Sequence, residues 1–428
     1  MKEKFKLTAL ERSWVLYDVG NSAFILLVST LLPIFFNSLA ESAGVNEDLY
    51  LAYWGYAGSI ATIIVAFIGP ICGTMADRRN FKKPIFLLCV AVGVIGCASL
   101  GFAWSWLAFL GIYIIAKVGF NASLVFYDSM LPEITDNKRM DTVSSMGYAF
   151  GYIGSVIPFV VCLVLVLMAD TFGLTQGNAM IIAFLITAIW WAVCSLPLLK
   201  TYRQTAFVEG VAHPVADAFR NLAATFRMVK KQKHIFLYML SFFFFIDGVY
   251  TIIEMATAYG AALGLDTTGL LLALLVTQFV AFPFSILFGR LSAKFDTGLL
   301  IKVCILCYTG ITMFATFLAY QWQFWTLAVL VGMFQGGIQA LSRSYLGKII
   351  PTEHSGEYYG LMDICGKGAS FMGLTLVSAV SQALVGTELR VGNMVLQNEN
   401  LAVAALFVIF AIGFVLFCKA DKLNRERI

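Results

Sequence analysis

The chain has 428 residues, 60% of them hydrophobic and 13% charged, with a net charge of +4. A soluble domain of this length carries about 25% charged residues, and the mean hydropathy of +0.84 excludes that class in favour of an integral membrane protein. The basic residues are spread over short polar segments rather than gathered on one face, so the positive charge gives no argument for nucleic acid as a partner.

Apolar runs of about 20 residues are long enough to cross the hydrocarbon layer as helices, in contact with membrane lipids. The sequence predicts about twelve, at residues 14–38, 50–75, 84–104, 106–131, 142–168, 178–199, 235–261, 267–289, 299–319, 323–348, 357–385 and 400–418. The expected fold class is therefore all-α and polytopic. The first run is too long for a signal-peptide core and lacks a small-residue cleavage site, so it reads as a retained span.

The first span carries Tyr17, Asp18 and Asn21. Spacings of three and four place them on one helix face. An ionisable group at membrane depth is costly, and it usually faces a cavity, a substrate or a proton path; a carboxylate that only caps a helix or pairs with a base is the plain alternative. After the second span comes Gly73-Thr-Met-Ala-Asp77-Arg78-Arg79-Asn80-Phe-Lys82-Lys83. The fourth span holds Lys117 near its centre and Asn121 one turn on. The fifth repeats Gly147, Gly151 and Ser155 every four residues, a pattern that lets two helices approach closely.

Residues 200–234 form the longest polar stretch. Pro214, then Phe219, Leu222, Phe226 and Met228, then Lys230, Lys231 and Lys233 read either as an amphipathic helix along the cytoplasmic face or as a solvated linker. It divides an N-terminal bundle of six spans, 1–199, from a C-terminal bundle, 235–428. The seventh span repeats the polar stripe of the first with Asp247, Tyr250, Thr251 and Glu254. Gly289, 216 residues after Gly73, opens a second copy of the loop with Ala293 where Asp77 stands in the first. Gln335, Gln339 and Arg343 follow at spacings of four on the tenth span, and Lys367 with Asp363 lies inside the eleventh.

Basic residues at Arg78, Arg79, Lys82, Lys83, Lys138, Arg139, Arg425 and Arg427 alternate with loops that hold only Arg390. By the positive-inside rule both termini are cytoplasmic and the number of spans is even. The nine cysteines lie in or beside spans, and the Cys304 and Cys307 pair has no second pair or histidine nearby, so packing is expected and neither a metal site nor a cofactor. His213, His234 and His354 fall in cytoplasmic segments or at their edges. Asp18, Asp247 and Glu254 are thus the candidates for proton coupling, because protonation offsets the cost of a buried charge. Gly360 to Gly368 is one residue too long for a phosphate loop and has Gly368 where the hydroxyl residue belongs. With no soluble segment long enough for a catalytic domain, neither an enzyme nor a nucleotide is expected, and transport would draw on a solute or ion gradient.

The Gly73 to Lys83 segment resembles the loop motif of the major facilitator superfamily, Gly-x-x-x-Asp-Arg-x-Gly-Arg-Lys, and agrees at Gly73, Asp77, Arg78 and Lys82. Asn80 replaces the motif glycine, and asparagine also visits the left-handed backbone region. The resemblance implies two pseudo-symmetric six-helix halves around a midplane site. It also implies that Gly73, Asp77 and Arg78 gate the cytoplasmic side rather than bind substrate. Arg343, near the same end, either joins that gate or snorkels to the interface.

Further segments narrow the resemblance. Trp14-x-x-Tyr17-Asp18-x-x-Asn21-Ser22, Phe126-Tyr127 with Leu131-Pro132, Ser144-Ser145-x-Gly147-x-Ala149-x-Gly151-Tyr152-x-Gly154, Asp247-Gly248 and Gly336-Gly337-x-Gln339-Ala340-x-Ser342-Arg343-Ser344 resemble the vacuole-effluxer, autophagy-related branch. That branch is associated in fungi with export of amino acids from vacuoles, while most bacterial members lack an assigned substrate. The fifth span does not reproduce the glycine-proline motif of drug-proton exchangers.

The expectation is a secondary transporter of a small polar metabolite, an amino acid or related zwitterion, in the cell membrane. Tyr17, Asp18, Asn21, Lys117, Asn121, Asp247, Tyr250, Gln339 and Lys367 are the candidate substrate contacts. Lys117 or Lys367 would hold a carboxylate and Asp18 or Asp247 an ammonium, unless these charges only neutralise one another. A lipid or lysolipid translocase of the same fold is the alternative, and a non-transporting receptor or scaffold a third. Central charges argue against the third, since a scaffold has no use for costly groups at that depth.

Overall fold

The computed structural model describes residues 5–46, 49–209, 230–384, 389–391, 394–396 and 398–427. The amphipathic segment expected from Pro214 to Met228 lies outside the described residues, and so does the side chain of Lys367.

The helices are α1 (Ala9–Ser29), α2 (Leu31–Ser42), α3 (Tyr50–Ala76), α4 (Lys82–Ser99), α5 (Trp106–Ile134), α6 (Met140–Leu167) and α7 (Gln176–Thr201), followed by α8 (Lys233–Ala262), α9 (Thr267–Leu291), α10 (Thr297–Thr316), α11 (Gln321–Ile349), α12 (Ser355–Ala383), α13 (Asn398–Ala404) and α14 (Leu406–Arg425). Among the described residues, eleven helical segments are long and apolar enough to cross a membrane, with α1 and α2 counted together, and Met372–Ala383 in α12 is a shorter apolar stretch. Phe67, Leu88, Ile95 and Ile189 expose more than half of their surface. Such residues would drive aggregation in water and suit contact with lipid.

The first span, read as one helix from 14 to 38, is two. Thr30 breaks the ladder at φ −129° and ψ −73°. The Ser29 and Thr30 hydroxyls both donate back to carbonyls of the preceding turn, Ile25 and Leu26, a habit that bends helices. At the start of α1, Thr8 and Glu11 close a capping box, with Glu11 N–H 3.2 Å from Thr8 Oγ1 and Thr8 N–H 2.7 Å from Glu11 Oε2. A short antiparallel hairpin, β1 (Leu389–Val391) with β2 (Met394–Leu396), lies in the segment read as a loop before the last span.

The chain forms two compact units. Unit 1 comprises Met1–Asp136, Phe150–Arg220 and Pro351–Gly360, and unit 2 comprises Asn137–Ala149, Asn221–Ile350 and Leu361–Ile428. Helices α6 and α12 therefore each change unit part way along. Within unit 1, α1 packs on α7, α3 on α5, and α4 on both α5 and α7. Unit 2 repeats this scheme element by element: α8 on α14, α9 on α11, and α10 on both α11 and α14.

Hydrogen bonds and small residues hold these helices at close range, as expected where lipid removes the hydrophobic drive between them. In unit 1, Trp14 Nε1 donates to Tyr127 O at 2.9 Å and Trp190 Nε1 to Val19 O at 3.2 Å. In unit 2, Tyr238 donates to Ser342 O at 2.6 Å and Ser241 to Gly413 O at 2.9 Å.

Candidate functional site

In unit 1 the polar stripe of α1 is folded inward. Tyr17 is fully buried, its hydroxyl 2.6 Å from Ser123 Oγ and its ring 4.8 Å from that of Tyr127. Asp18 is buried as well. Tyr127 donates to its Oδ2 at 3.1 Å, and Asn21 Nδ2 lies 3.4 Å from its Oδ1 and 3.1 Å from the Tyr17 carbonyl. A Cβ on Gly151 of α6 would stand 2.9 Å from Ser22 Oγ and 3.6 Å from the Asp18 carboxyl carbon, so the missing side chain lets α6 lie against this carboxylate. Lys117 on α5 is half-buried, its Nζ 5.6 Å from the Tyr113 ring centre and beside Gly58 of α3. Asn121 is buried one turn further along.

Unit 2 treats its acid differently. Asp247 is fully buried on α8; its Oδ1 accepts the Gly373 N–H at 2.8 Å, with Thr251 Oγ1 at 3.4 Å, and its Oδ2 has no hydrogen-bond partner among the described residues. Gly373 of α12 has no room for a side chain, because a Cβ would overlap both Thr251 Oγ1 and Asp247 Oδ1. Tyr250 and Gln339 are half-buried, whereas Glu254, expected to be desolvated with Asp247, is exposed along the same helix. Gln335, one turn before Gln339, is buried with its Nε2 unpartnered among the described residues. Such orphaned buried groups are rare and call for an explanation.

The residues expected to form the gate have a defined geometry in unit 1. Asp77 follows α3 and accepts main-chain N–H groups of Gly356 at 2.7 Å and Glu357 at 2.8 Å, capping the start of α12. Gly73, one turn earlier, packs directly on the Gly356 backbone, which only a glycine permits. Asn80 has φ +65°, the sole positive φ of a non-glycine residue among those described, in keeping with its place in the motif. Lys82 Nζ sits 3.6 Å from Asp77 Oδ1, 2.7 Å from Glu133 Oε1 and 2.8 Å from Ser355 Oγ. Burial pushes the Asp77 carboxyl up to about 7, against the opposing pull of Lys82 and the two N–H groups. Residues 202–209 clasp the same loop: Tyr202, Thr205 and Ala206 all donate to Glu133, and Gln204 donates to Ala76 O. Arg78 pairs through its backbone with Val208.

In unit 2 the corresponding glycine, Gly289, faces the first turn of α6, where a Cβ would lie 2.9 Å from that of Ser145, and Thr142 donates to Gly289 O at 2.8 Å. The acid missing at Ala293 is supplied from the other helix. Asp141 accepts from Thr297 Oγ1 at 2.7 Å, Ser344 Oγ at 2.6 Å and Lys348 Nζ at 2.6 Å. Arg343 does not snorkel: it is 3% exposed, donates from Nε to Ser144 Oγ and from Nη2 to Ser144 O, both at 2.9 Å, and lies over the Tyr148 ring.

Sequence reasoning did not single out Glu133, Asp141, Lys348 or Gly373. No spacing rule could have linked them to partners more than 50 residues away, such as Lys82 for Glu133 and Lys348 for Asp141. The signal available was the absence of an acid at Ala293, which left the second loop short of a charge. Gln335 was visible as a member of the Gln339 stripe, but its burial was not.

The family described as vacuole effluxer Atg22 like matches residues 49–426. The chain is 40% identical over 416 residues to the uncharacterized MFS-type transporter YxiO of Bacillus subtilis, covering 96% of this chain and 94% of that protein. It is 25% identical over 276 residues to autophagy-related protein 22-1 of Penicillium rubens, of which it covers 45%. Among solved structures it resembles the major facilitator transporter FucP in its outward conformation, with a TM-score of 0.70 at 15% identity and coverage of 96% and 97% of the two chains. The human organic anion transporter MFSD10 superposes with a TM-score of 0.72 at 13% identity, covering 96% and 98%. At these identities the structures show the fold alone, and that fold is the major facilitator fold. With most of its length matched, this multi-pass membrane chain belongs to the vacuole effluxer Atg22-like family of major facilitator transporters.

Proposed function

We propose that the protein is a secondary carrier of a small polar metabolite, an amino acid or related zwitterion, working by alternating access of residues 1–199 and 235–428 and coupled to protons. Asp247 is the observation that carries this reading: a fully buried acid on a membrane helix whose Oδ2 has no partner among the described residues. Such an oxygen is a place for a substrate ammonium or a proton, since either removes the cost of an uncompensated charge. Tyr250 and Gln339 supply hydrogen bonds in unit 2. In unit 1, Lys117 and Asn121 are the groups for a carboxylate, while Tyr127 and Asn21 hold Asp18 in place. Lys367 joins the set on its sequence position. Gly73, Asp77, Arg78 and Arg343 work the gate, and the basic loops argue for a cell membrane with both termini cytoplasmic.

Purified protein in liposomes, supplied with labelled amino acids under an imposed pH gradient, tests this. Accumulation is expected in the wild type, and it should vanish in Asp247→Asn while substrate exchange persists. Accumulation driven by sodium alone would overturn proton coupling. Translocation of a fluorescent lysolipid without amino-acid uptake would replace the substrate class.

A further inference from the structure

The start of α12 gathers more negative charge than the gate uses. Asp77, Glu133 and Glu357 have side chains 3%, 1% and 6% exposed, and the only ammonium within salt-bridge distance of any of them among the described residues is Lys82, itself 0% exposed. Glu133 is satisfied by Lys82, Tyr202 and two main-chain N–H groups. Glu357 has His354, whose Nδ1 lies 3.3 Å from its Oε2. Three carboxylates thus share one ammonium, Lys82, and one imidazole, His354, in a largely buried place. His354, 38% exposed, opens this place to water.

We propose that Asp77, His354 and Glu357 form a binding site for a first-row divalent cation such as Mn2+ or Zn2+. One ligand atom from each comes within 4.8 Å of the others. Bonds of about 2 Å to an ion set such atoms roughly 3 to 4 Å apart, so small side-chain rotations complete the shell. His354, just before α12, and Glu357 in its first turn are three apart and face one another at 3.3 Å. Asp77 is held opposite by the Gly356 and Glu357 N–H groups, each of which uses one lone pair and leaves another on the same oxygen. One imidazole with two carboxylates suits Mn2+ or Zn2+, and the imidazole disfavours Mg2+ and Ca2+, which take oxygen ligands. Lys82 opposes the ion, but its closest contact is Glu133. A bound ion would tie the end of α3 to the start of α12 beyond the two main-chain hydrogen bonds and so slow the carrier. The site goes beyond the proposed transport function, and its binding test does not depend on that function.

The test uses the purified full chain in detergent with any affinity tag removed. Mn2+ is titrated by electron paramagnetic resonance and Zn2+ by calorimetry, while thermal unfolding is followed with and without Mn2+. Expected are one ion per chain, a rise in Tm on binding, and affinity weaker by about tenfold or more in both His354→Ala and Glu357→Gln. Excess Mg2+ should not displace Mn2+. His354 is partly exposed, so His354→Ala should keep the Tm of the ion-free wild type and lose only the rise. Absence of stoichiometric binding to the wild type, or unchanged affinity in both variants, would overturn the site.

Discussion

Asp18 and Asp247 stand on the first helix of their bundles, each against a glycine of a helix that changes unit, Gly151 for Asp18 and Gly373 for Asp247. Their surroundings differ. Asp18 is contacted on both oxygens, by the Tyr127 phenol and the Asn21 amide. Asp247 receives the backbone of Gly373 on one oxygen and, among the described residues, nothing on the other. A repeat can thus keep the place of an acid while changing its contacts, and on the proposed function the less contacted copy, Asp247, is the one that meets a substrate or proton.

The largest expected effect follows from that asymmetry. Asp247→Asn should lower gradient-driven transport about tenfold or more at normal membrane expression, equivalent to about 1.4 kcal/mol on the limiting step. Asp18→Asn, whose amide can still accept from Tyr127, should cost less. Equal rates for the two variants would remove the distinction. Gly373→Ala comes next, since overpacking against the Asp247 carboxylate should cost about 1–3 kcal/mol, read as a lower Tm. Gly151→Ala meets chiefly the Ser22 hydroxyl, which can rotate away, and should lower Tm less.

At the gate, Asp77→Ala strips a cap worth about 0.5–2 kcal/mol. It should shift distances measured between spin labels and slow cycling while substrate affinity stays within about threefold. Lost affinity with unchanged distances would make Asp77 a substrate ligand instead. The smallest effect belongs to Thr251→Val: at 3.4 Å its hydroxyl is a weak donor to Asp247, and a loss of about 0.5 kcal/mol should leave transport within about twofold.

The membrane-spanning helices were legible in the sequence because the bilayer demands a fixed length of apolar residues, and so was the repeat, through Gly73 and Gly289. The left-handed turn at Asn80 followed from the motif. The candidate site was half legible: helical spacing placed Tyr17, Asp18 and Asn21 together, and Asp247 with Thr251. It could not tell that Arg343 is buried on Ser144, nor that Glu254 is exposed while Asp247 is not, because burial depends on which face meets another helix. The break at Thr30 was hidden because hydroxyl back-bonding is tolerated in many unbroken helices. The relocation of the second acid from the loop to Asp141 was hidden too, since its partners at Thr297, Ser344 and Lys348 are 156, 203 and 207 residues away.

The bond from Gly356 N–H to Asp77 spans 279 residues of chain. At a synthesis rate of about 5–20 residues per second, the ribosome needs roughly 14–56 s after making Asp77 before its partner exists. During that interval Asp77 and Lys82 lack the segment that finally covers them, and the first turn of α6 waits in the same way for Gly289 and Arg343. Unit 1 therefore cannot complete the Asp77 contact until residue 356 has been made. A quality-control factor that recognises unmatched charge at the membrane surface would have its longest opportunity here.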